Sequence, residues 1–279
     1  FFKYLEDRRL LHLLFSSAFM GFAMLTKPTT EYLPLFLGAL LLWVWRSDFR
    51  RGLIHTTVFL VTCALVASPW VYRNYVVTGS PGLSPLAGVT LYTQLWPSVL
   101  SIKNGTNWGV EYHKIVDNGV SGPNNASVKE SAEDAKIAIP LLLQNPVPLA
   151  IVSANTAFSF FTHDGIYDVL RHLKITPDQG LGGPALFMVL KDPGAFLGLV
   201  AHFIATPFVL ILIMRIFWVV LTALFVYGAI RYCMRERKPT GVAALIIVFY
   251  FMLTTLTIGL SVNARYRLPV NVFIATFAV

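Results

Sequence analysis

The sequence predicts an all-α, multi-pass membrane protein, on three observations. The chain of 279 residues is 56% hydrophobic and only 13% charged, whereas soluble domains carry about 25% charged residues. Its mean hydropathy is +0.64. At least five stretches approach the roughly 20 apolar residues that a transmembrane helix needs. A formal charge of +8 would suggest nucleic acid for a soluble chain. Here juxtamembrane Lys and Arg account for much of the excess, so the expected surroundings are a lipid bilayer and a nucleic-acid partner is discounted.

In chain order, residues 10–25 form a helical apolar run that ends at Lys27-Pro28. Pro28 disfavours helix at the residue before it, so the chain turns there. A run over 32–45 is short for a span unless this turn sits below the membrane surface, which would put Lys27 and Glu31 at the edge of an aqueous cavity. The basic loop 46–51 leads to a helix over 53–67 that is expected to end at Ser68-Pro69-Trp70. From 71 to about 139 the composition turns to Gly, Asn, Ser, Tyr and charge, with a turn-rich patch over 118–125 and a surface helix over 127–139. Residues 140–161 are apolar but interrupted, and are expected to lie along the membrane interface. A polar return segment over 163–192 precedes two spans, 203–232 and 242–262, and a further helix starting at Pro269. Three parts follow: transmembrane helices over 1–70 with a Lys-Pro break, an extracytoplasmic region over 71–202 with an interfacial helix at about 140–161, and C-terminal transmembrane helices over 203–279.

Orientation follows from charge. The loops at 1–9, 46–51 and 231–240 hold Lys3, Arg8, Arg9, Arg46, Arg50, Arg51, Arg231, Arg235, Arg237 and Lys238, which predicts that they are cytoplasmic. Lys27, Arg73, the 71–200 region, Arg265 and Arg267 then share the opposite face. Cations placed against the positive-inside bias point to function. Arg suits phosphate because its planar fork donates two parallel hydrogen bonds at any relevant pH. Arg265 and Arg267 are two apart, so a helix would aim them to different sides, whereas an extended or turning backbone could aim both into one cavity. Membrane anchoring by snorkelling is the plainer alternative for these arginines and for Arg215, which sits inside an apolar run.

Glu31, Glu111, Asp164 and Asp168 are the carboxylates on that face, and none has a context that identifies a general base. Asp164, Asp168 and His172 stand at i, i+4 spacing, which a divalent metal site or a solvated helix face would both satisfy. Asn104-Gly-Thr106 and Asn125-Ala-Ser127 match glycosylation acceptors. Cys63 and Cys233 lie in separate apolar runs and are expected to be free thiols. The first apolar run lacks a small-residue cleavage site. No Walker loop, Rossmann glycine pattern, Gly-x-Ser-x-Gly or His-Glu-x-x-His occurs, so nothing supports nucleotide-driven or zinc-hydrolytic chemistry.

Gly21-Phe-Ala-Met-Leu-Thr-Lys27-Pro28, then Ser68-Pro69-Trp70-Val-Tyr-Arg73-Asn74-Tyr75 with Gly79, then Ala264-Arg265-Tyr266-Arg267-Leu268-Pro269 resemble the GT-C glycosyltransferases. The resemblance is to bacterial members related to protein O-mannosyltransferases and the lipid A aminoarabinose transferase. It implies a multi-pass protein of the bacterial inner membrane, with a GT-C-like helix bundle, an extracytoplasmic loop region and interfacial helices. It also implies a polyprenyl-phosphate-linked sugar donor, a protein, lipid or glycan acceptor, no organic cofactor, and Lys27, Arg73, Arg265, Tyr266 and Arg267 at the donor phosphate. The catalytic carboxylate of that family lies in a loop after the first transmembrane helix. Both ends of this chain read as cuts, so that carboxylate is expected to precede Phe1, and the catalytic base is unassigned. A transporter or flippase for a lipid-linked anion is the rival class, and matched halves with broken helices would mark it.

Overall fold

The computed structural model describes residues 1–117, 126–174, 193–206 and 208–279, with the side chains of Tyr167, Asp168, Arg171 and Ala195 outside that description. The turn-rich patch at 118–125, including the Asn125 acceptor, and residues 175–192 of the return segment therefore lie outside the described residues. All regular structure among the described residues is helical. The chain divides into two compact units: residues 1–89, 121–136 and 229–254 form the first, and 90–120, 137–228 and 255–279 the second.

The first unit begins with α1 (Phe2–Asp7), α2 (Leu10–Thr26), a 3-10 turn over Pro28–Thr30, α3 (Leu33–Val44) and α4 (Phe49–Thr78). Lipid tails are as apolar as Leu, so helices there associate through close packing at small residues. Ser17 and Gly21, one turn apart on α2, are buried. They meet Cys63 and Val66 of α4: the Cys63 thiol donates to the Ser17 carbonyl, and a Cβ on Gly21 would stand 2.6 Å from Val66 Cβ. On α3, Gly38 receives a hydrogen bond from Thr56 Oγ1 of α4. Cys63 is buried, Cys233 exposed, and both are free.

Helix α4 does not end at Ser68-Pro69-Trp70. It continues for 30 residues to Thr78, about 45 Å at 1.5 Å per residue. Pro69 has no N–H for the Leu65 carbonyl, but the neighbouring Ser68 hydroxyl donates to that oxygen at 2.9 Å, so the helix bridges the proline. Asp48 caps its start by accepting from Arg51 N, and Gly79 at φ 73 closes it.

Further on come α5 (Leu86–Thr90), a π-turn over Leu91–Leu95, α6 (Trp96–Asn104), α7 (Trp108–Val116), α8 (Val128–Leu143), α9 (Pro146–Thr162) and α10 (Ile166–His172). Then follow α11 (Pro193–Ile204), α12 (Val209–Arg235), α13 (Pro239–Thr255), three 3-10 turns and α14 (Asn271–Ala278). Ser127 and Glu130 form a reciprocal cap at the start of α8. The interfacial helix expected over 140–161 is two helices instead: Pro140 lies within α8, and the chain bends by 106° before α9. The break falls at Gln144-Asn145 because Pro146 and Pro148 suit only the first turn of a new helix. Helix α4, helix α12 and residues 239–261 are long and apolar enough to cross a membrane, and α8 with α9 makes a bent fourth candidate. The chain is thus an α-helical membrane protein, as its composition predicts.

The second unit has a core of Leu95, Val99, Ala138, Leu142 and Val152. The membrane-spanning segment over 239–261 enters this unit at Thr255 and breaks at Gly259, whose φ of 58° and ψ of −136° suit a residue without Cβ. The freed backbone groups find side chains: Thr156 Oγ1 donates to the Gly259 carbonyl at 3.0 Å, and Leu260 N donates to Ser98 Oγ at 3.0 Å. Ser261 Oγ also donates to Gln94 Oε1. On the polar side, the Glu111 carboxylate is 3% exposed and accepts from Thr106 Oγ1, Lys114 Nζ and Asn104 Nδ2. The Asn104 acceptor amide is thus already engaged within the protein.

Two outcomes follow. Gly259→Ala forces strain and drives a Cβ into Ser98, which should destabilise the fold by about 3 kcal/mol. A lowered unfolding temperature in detergent is the readout, and an unchanged one would remove the break from the fold's constraints. The hydrogen bond from Thr106, helped by those from Lys114 and Asn104, holds Glu111 below its ordinary pKa of 4.5. A depressed folded pKa means stability that is complete above 4.5 and lost as pH falls through the folded value. Amide exchange across residues 104–116 should therefore accelerate in that acid window, and Glu111→Gln should flatten the dependence.

Candidate functional site

The five residues assigned to a donor phosphate fall into both units. Lys27 and Arg73 lie in the first and Arg265, Tyr266 and Arg267 in the second, and each group is built by its own surroundings.

Lys27 sits at the break between α2 and the Pro28–Thr30 turn. Its backbone N–H closes α2 on the Ala23 carbonyl and its ammonium stands 5.4 Å from the centre of the Phe251 ring. Tyr250 pins this turn: its hydroxyl donates to the Thr29 carbonyl at 2.7 Å and accepts from Tyr32 N at 3.1 Å. Arg73, on the extension of α4 past Pro69, is exposed. Its guanidinium stacks 4.8 Å from the Trp70 ring centre and donates to Asn74 Oδ1 at 3.0 Å. Asn74 in turn donates to the Gly82 carbonyl, and Trp70 to the Leu83 carbonyl. Arg73 therefore helps fix the loop that leaves α4.

In the second unit the segment after Gly259 carries the densest polar cluster. Asn263 caps the 3-10 turn Ala264–Tyr266 by accepting from Arg265 N. Arg265 is exposed, with its guanidinium over the Tyr266 ring and one Nη donating to the Tyr266 hydroxyl at 3.1 Å. The remaining guanidinium N–H groups of Arg265 have no partner among the described residues.

Arg267 is placed differently. It is 1% exposed. Its guanidinium donates to the carbonyls of Phe160, Phe161 and His163 and to Asn271 Oδ1. The first two carbonyls belong to the last turn of α9, which has no intrahelical donors for them. A cation at a helix C-terminus also meets the negative end of the helix dipole, worth up to about 2 kcal/mol in partly buried settings. The opposite face of the guanidinium rests 3.6 Å from the Trp218 ring centre. Burial lowers its pKa to about 10, with Asp164 raising it and Arg215 lowering it, so it stays charged at neutral pH. Arg267, which the sequence reading assigns to a lipid phosphate, is thus taken up by protein acceptors.

Beside it, Arg215 Nε donates to Asp164 Oδ2 at 2.9 Å, and the Asp164 side chain is wholly buried. Asp164 Oδ1 accepts from Ile166 N. Arg215, whose side chain is 30% exposed, thus neutralises the aspartate at the end of α9. Both Asp164 oxygens are engaged, no metal-ligand cluster forms among the described residues, and the Asp168 side chain lies outside them. Sequence reasoning missed the Asp164–Arg215 pair and Trp218. A signal was available: Arg215, Trp218 and Thr222 follow helical spacing on one face of an otherwise apolar α12, and Thr222 Oγ1 donates to the Phe161 carbonyl.

Removing Arg267 leaves three carbonyls and Asn271 without their donor. Arg267→Ala should cost about 3 kcal/mol and Arg267→Lys nearly as much, because an ammonium cannot span the same acceptors. Arg265→Ala should leave the unfolding temperature within error. Thermal unfolding of the three variants measures this, and equal effects at 265 and 267 would contradict the division between them. No protein-family model matches the chain, and neither a curated protein nor a solved structure matches it.

Proposed function

We propose that the protein is a bacterial inner-membrane glycosyltransferase of GT-C type, moving a sugar from a polyprenyl-phosphate donor to an acceptor on the non-cytoplasmic side. The observation that carries this reading is the Arg265–Tyr266 pair: an exposed guanidinium and a phenol hydroxyl, hydrogen-bonded to each other, on a turn anchored by the buried Arg267. Such a pair suits a lipid phosphate, because guanidinium and hydroxyl offer several donors to one set of oxygens.

In the reaction the acceptor hydroxyl or amine attacks the anomeric carbon, and the carbon–oxygen bond to phosphate breaks with its electrons going to the lipid phosphate. Donors that tighten as charge builds on that phosphate lower the barrier. Arg265 and Tyr266 are assigned that duty. Lys27 and Arg73, in the first unit, carry no step of this proposal. Arg267 is a positioning residue that holds the turn.

A carrier for a lipid-linked anion is the second reading. The 106° bend between α8 and α9 and the break at Gly259 favour it, since broken helices frame transporter sites.

Incorporation of labelled sugar from a polyprenyl-phosphate donor, in membranes holding the full-length protein, separates the two. Arg265→Ala should lower incorporation roughly 100-fold and Tyr266→Phe roughly tenfold, with folding unchanged. Sugar that moves across the membrane while still attached to its lipid would favour the carrier, and full activity in both variants would remove the site.

A further inference from the structure

Where α1 meets the start of α4, a buried polar chain takes no part in the proposed transfer. Tyr4 is wholly buried, and its hydroxyl accepts from Trp45 Nε1 at 2.9 Å and bonds His55 Nδ1 at 2.6 Å. An indole nitrogen only donates, so the hydroxyl's one proton goes to Nδ1, and neutral His55 carries its own on Nε2. Arg8 caps α1 through its backbone N–H, which donates to the Tyr4 carbonyl. Its guanidinium lies 5.7 Å from the Trp45 ring centre, with Nη1 buried and without a hydrogen-bond partner. The nearby acids are taken, Asp7 by Arg9 and His12 and Asp48 by Arg51, and Arg8 forms no ion pair among the described residues. A cation partly stripped of water and left without a counter-charge is costly. A guanidinium stacked on a ring still keeps its in-plane N–H groups for an anion.

We infer that this corner binds the headgroup of an anionic phospholipid, with Arg8 and Arg51 donating to its phosphate. The charges of both arginines act on the same ring, that of His55, so one anion can meet the two. The site lies wholly within the first unit and is independent of the transferase reading. Both arginines stand in loops that the charge pattern predicts to be cytoplasmic, the side on which basic pockets between spanning helices take up anionic headgroups. The occupant is a lipid rather than a free anion because the cations run directly into exposed apolar surface, Leu10 and Leu11 on α2 and Leu53 and Ile54 on α4. Only a molecule with an anion at one end and apolar chains at the other uses both. A zwitterionic headgroup brings a cation of its own, which Arg8 and Arg51 repel.

The test titrates dioleoyl phosphatidylglycerol, dioleoyl phosphatidylcholine or inorganic phosphate into the full-length protein in a neutral detergent and reads thermal stabilisation. Phosphatidylglycerol should half-saturate at a roughly tenfold lower concentration than phosphatidylcholine, the scale of two arginines meeting one surface anion. Inorganic phosphate should stabilise far less. Arg8→Gln and Arg51→Gln should each cut the preference to about threefold or less, whereas Arg50→Gln, which removes the same charge from a neighbouring exposed position on α4, should keep it. Arg51 is itself exposed, so its variant decides the outcome should Arg8→Gln fail to fold. Equal affinity for the two lipids, or as large a loss in Arg50→Gln as in Arg51→Gln, overturns the site in favour of diffuse surface charge. Inorganic phosphate that matches phosphatidylglycerol overturns the lipid as its occupant.

Discussion

The second unit depends on one guanidinium. Arg267 is a charge in apolar surroundings, and such a charge persists only with partners on every side. The last turn of α9 has the complementary problem, carbonyls without donors. Each solves the other's: the Phe160, Phe161 and His163 oxygens satisfy the cation, and the cation caps the helix. Trp218 covers the open face. The end of α9, one face of α12 and the segment from Asn263 to Asn271 are thereby held by a single side chain. Asp164, drawn in by Arg215, reduces the repulsion between two neighbouring cations.

The same accounting governs every irregularity in the apolar helices. Without water, a backbone group freed by Pro or a break must be satisfied nearby. Ser68 does this for Leu65, and Thr156 and Ser98 do it around Gly259. These are short side chains whose reach is one turn or one neighbouring helix. They explain why α4 passes through Pro69 while residues 239–261 break without leaving bare polar groups.

How much was legible in the sequence follows from range. Membrane class and apolar runs are local properties, and the runs at 10–25 and 32–45 match α2 and α3 to within a residue or so. Ser68-Pro69 reads locally as a helix end, and only the hydroxyl's bond to Leu65 reverses that. The bend after Leu143 was present as Gln144-Asn145-Pro146, but an apolar average over 140–161 conceals a change of direction. The Asp164–Arg215 pair joins residues 51 apart and the Arg267 contacts span more than 100. No local pattern specifies such partners. Of the residues singled out for a phosphate, Arg265 and Tyr266 do lie together, because adjacency is local too.

The opposed fates of Arg265 and Arg267 come from backbone geometry. A helix separates residues two apart, whereas an extended or turning backbone could aim both into one cavity. The segment takes 3-10 turns instead, at about 120° per residue, so Arg267 is rotated by about 240° from Arg265. The two side chains therefore diverge by about 120°, and Arg267 is buried while Arg265 is exposed. The inward one has carbonyls and an aromatic ring to meet and becomes a fixture, and the outward one inherits that fixture's rigidity. An exposed guanidinium normally loses side-chain and backbone freedom when it binds an anion. Arg265 starts from a backbone already immobilised through Asn263 and Arg267 and a side chain already resting on Tyr266, so less of that freedom remains to be lost. Burying one arginine is what holds its neighbour's backbone in place for the donor-phosphate site proposed above.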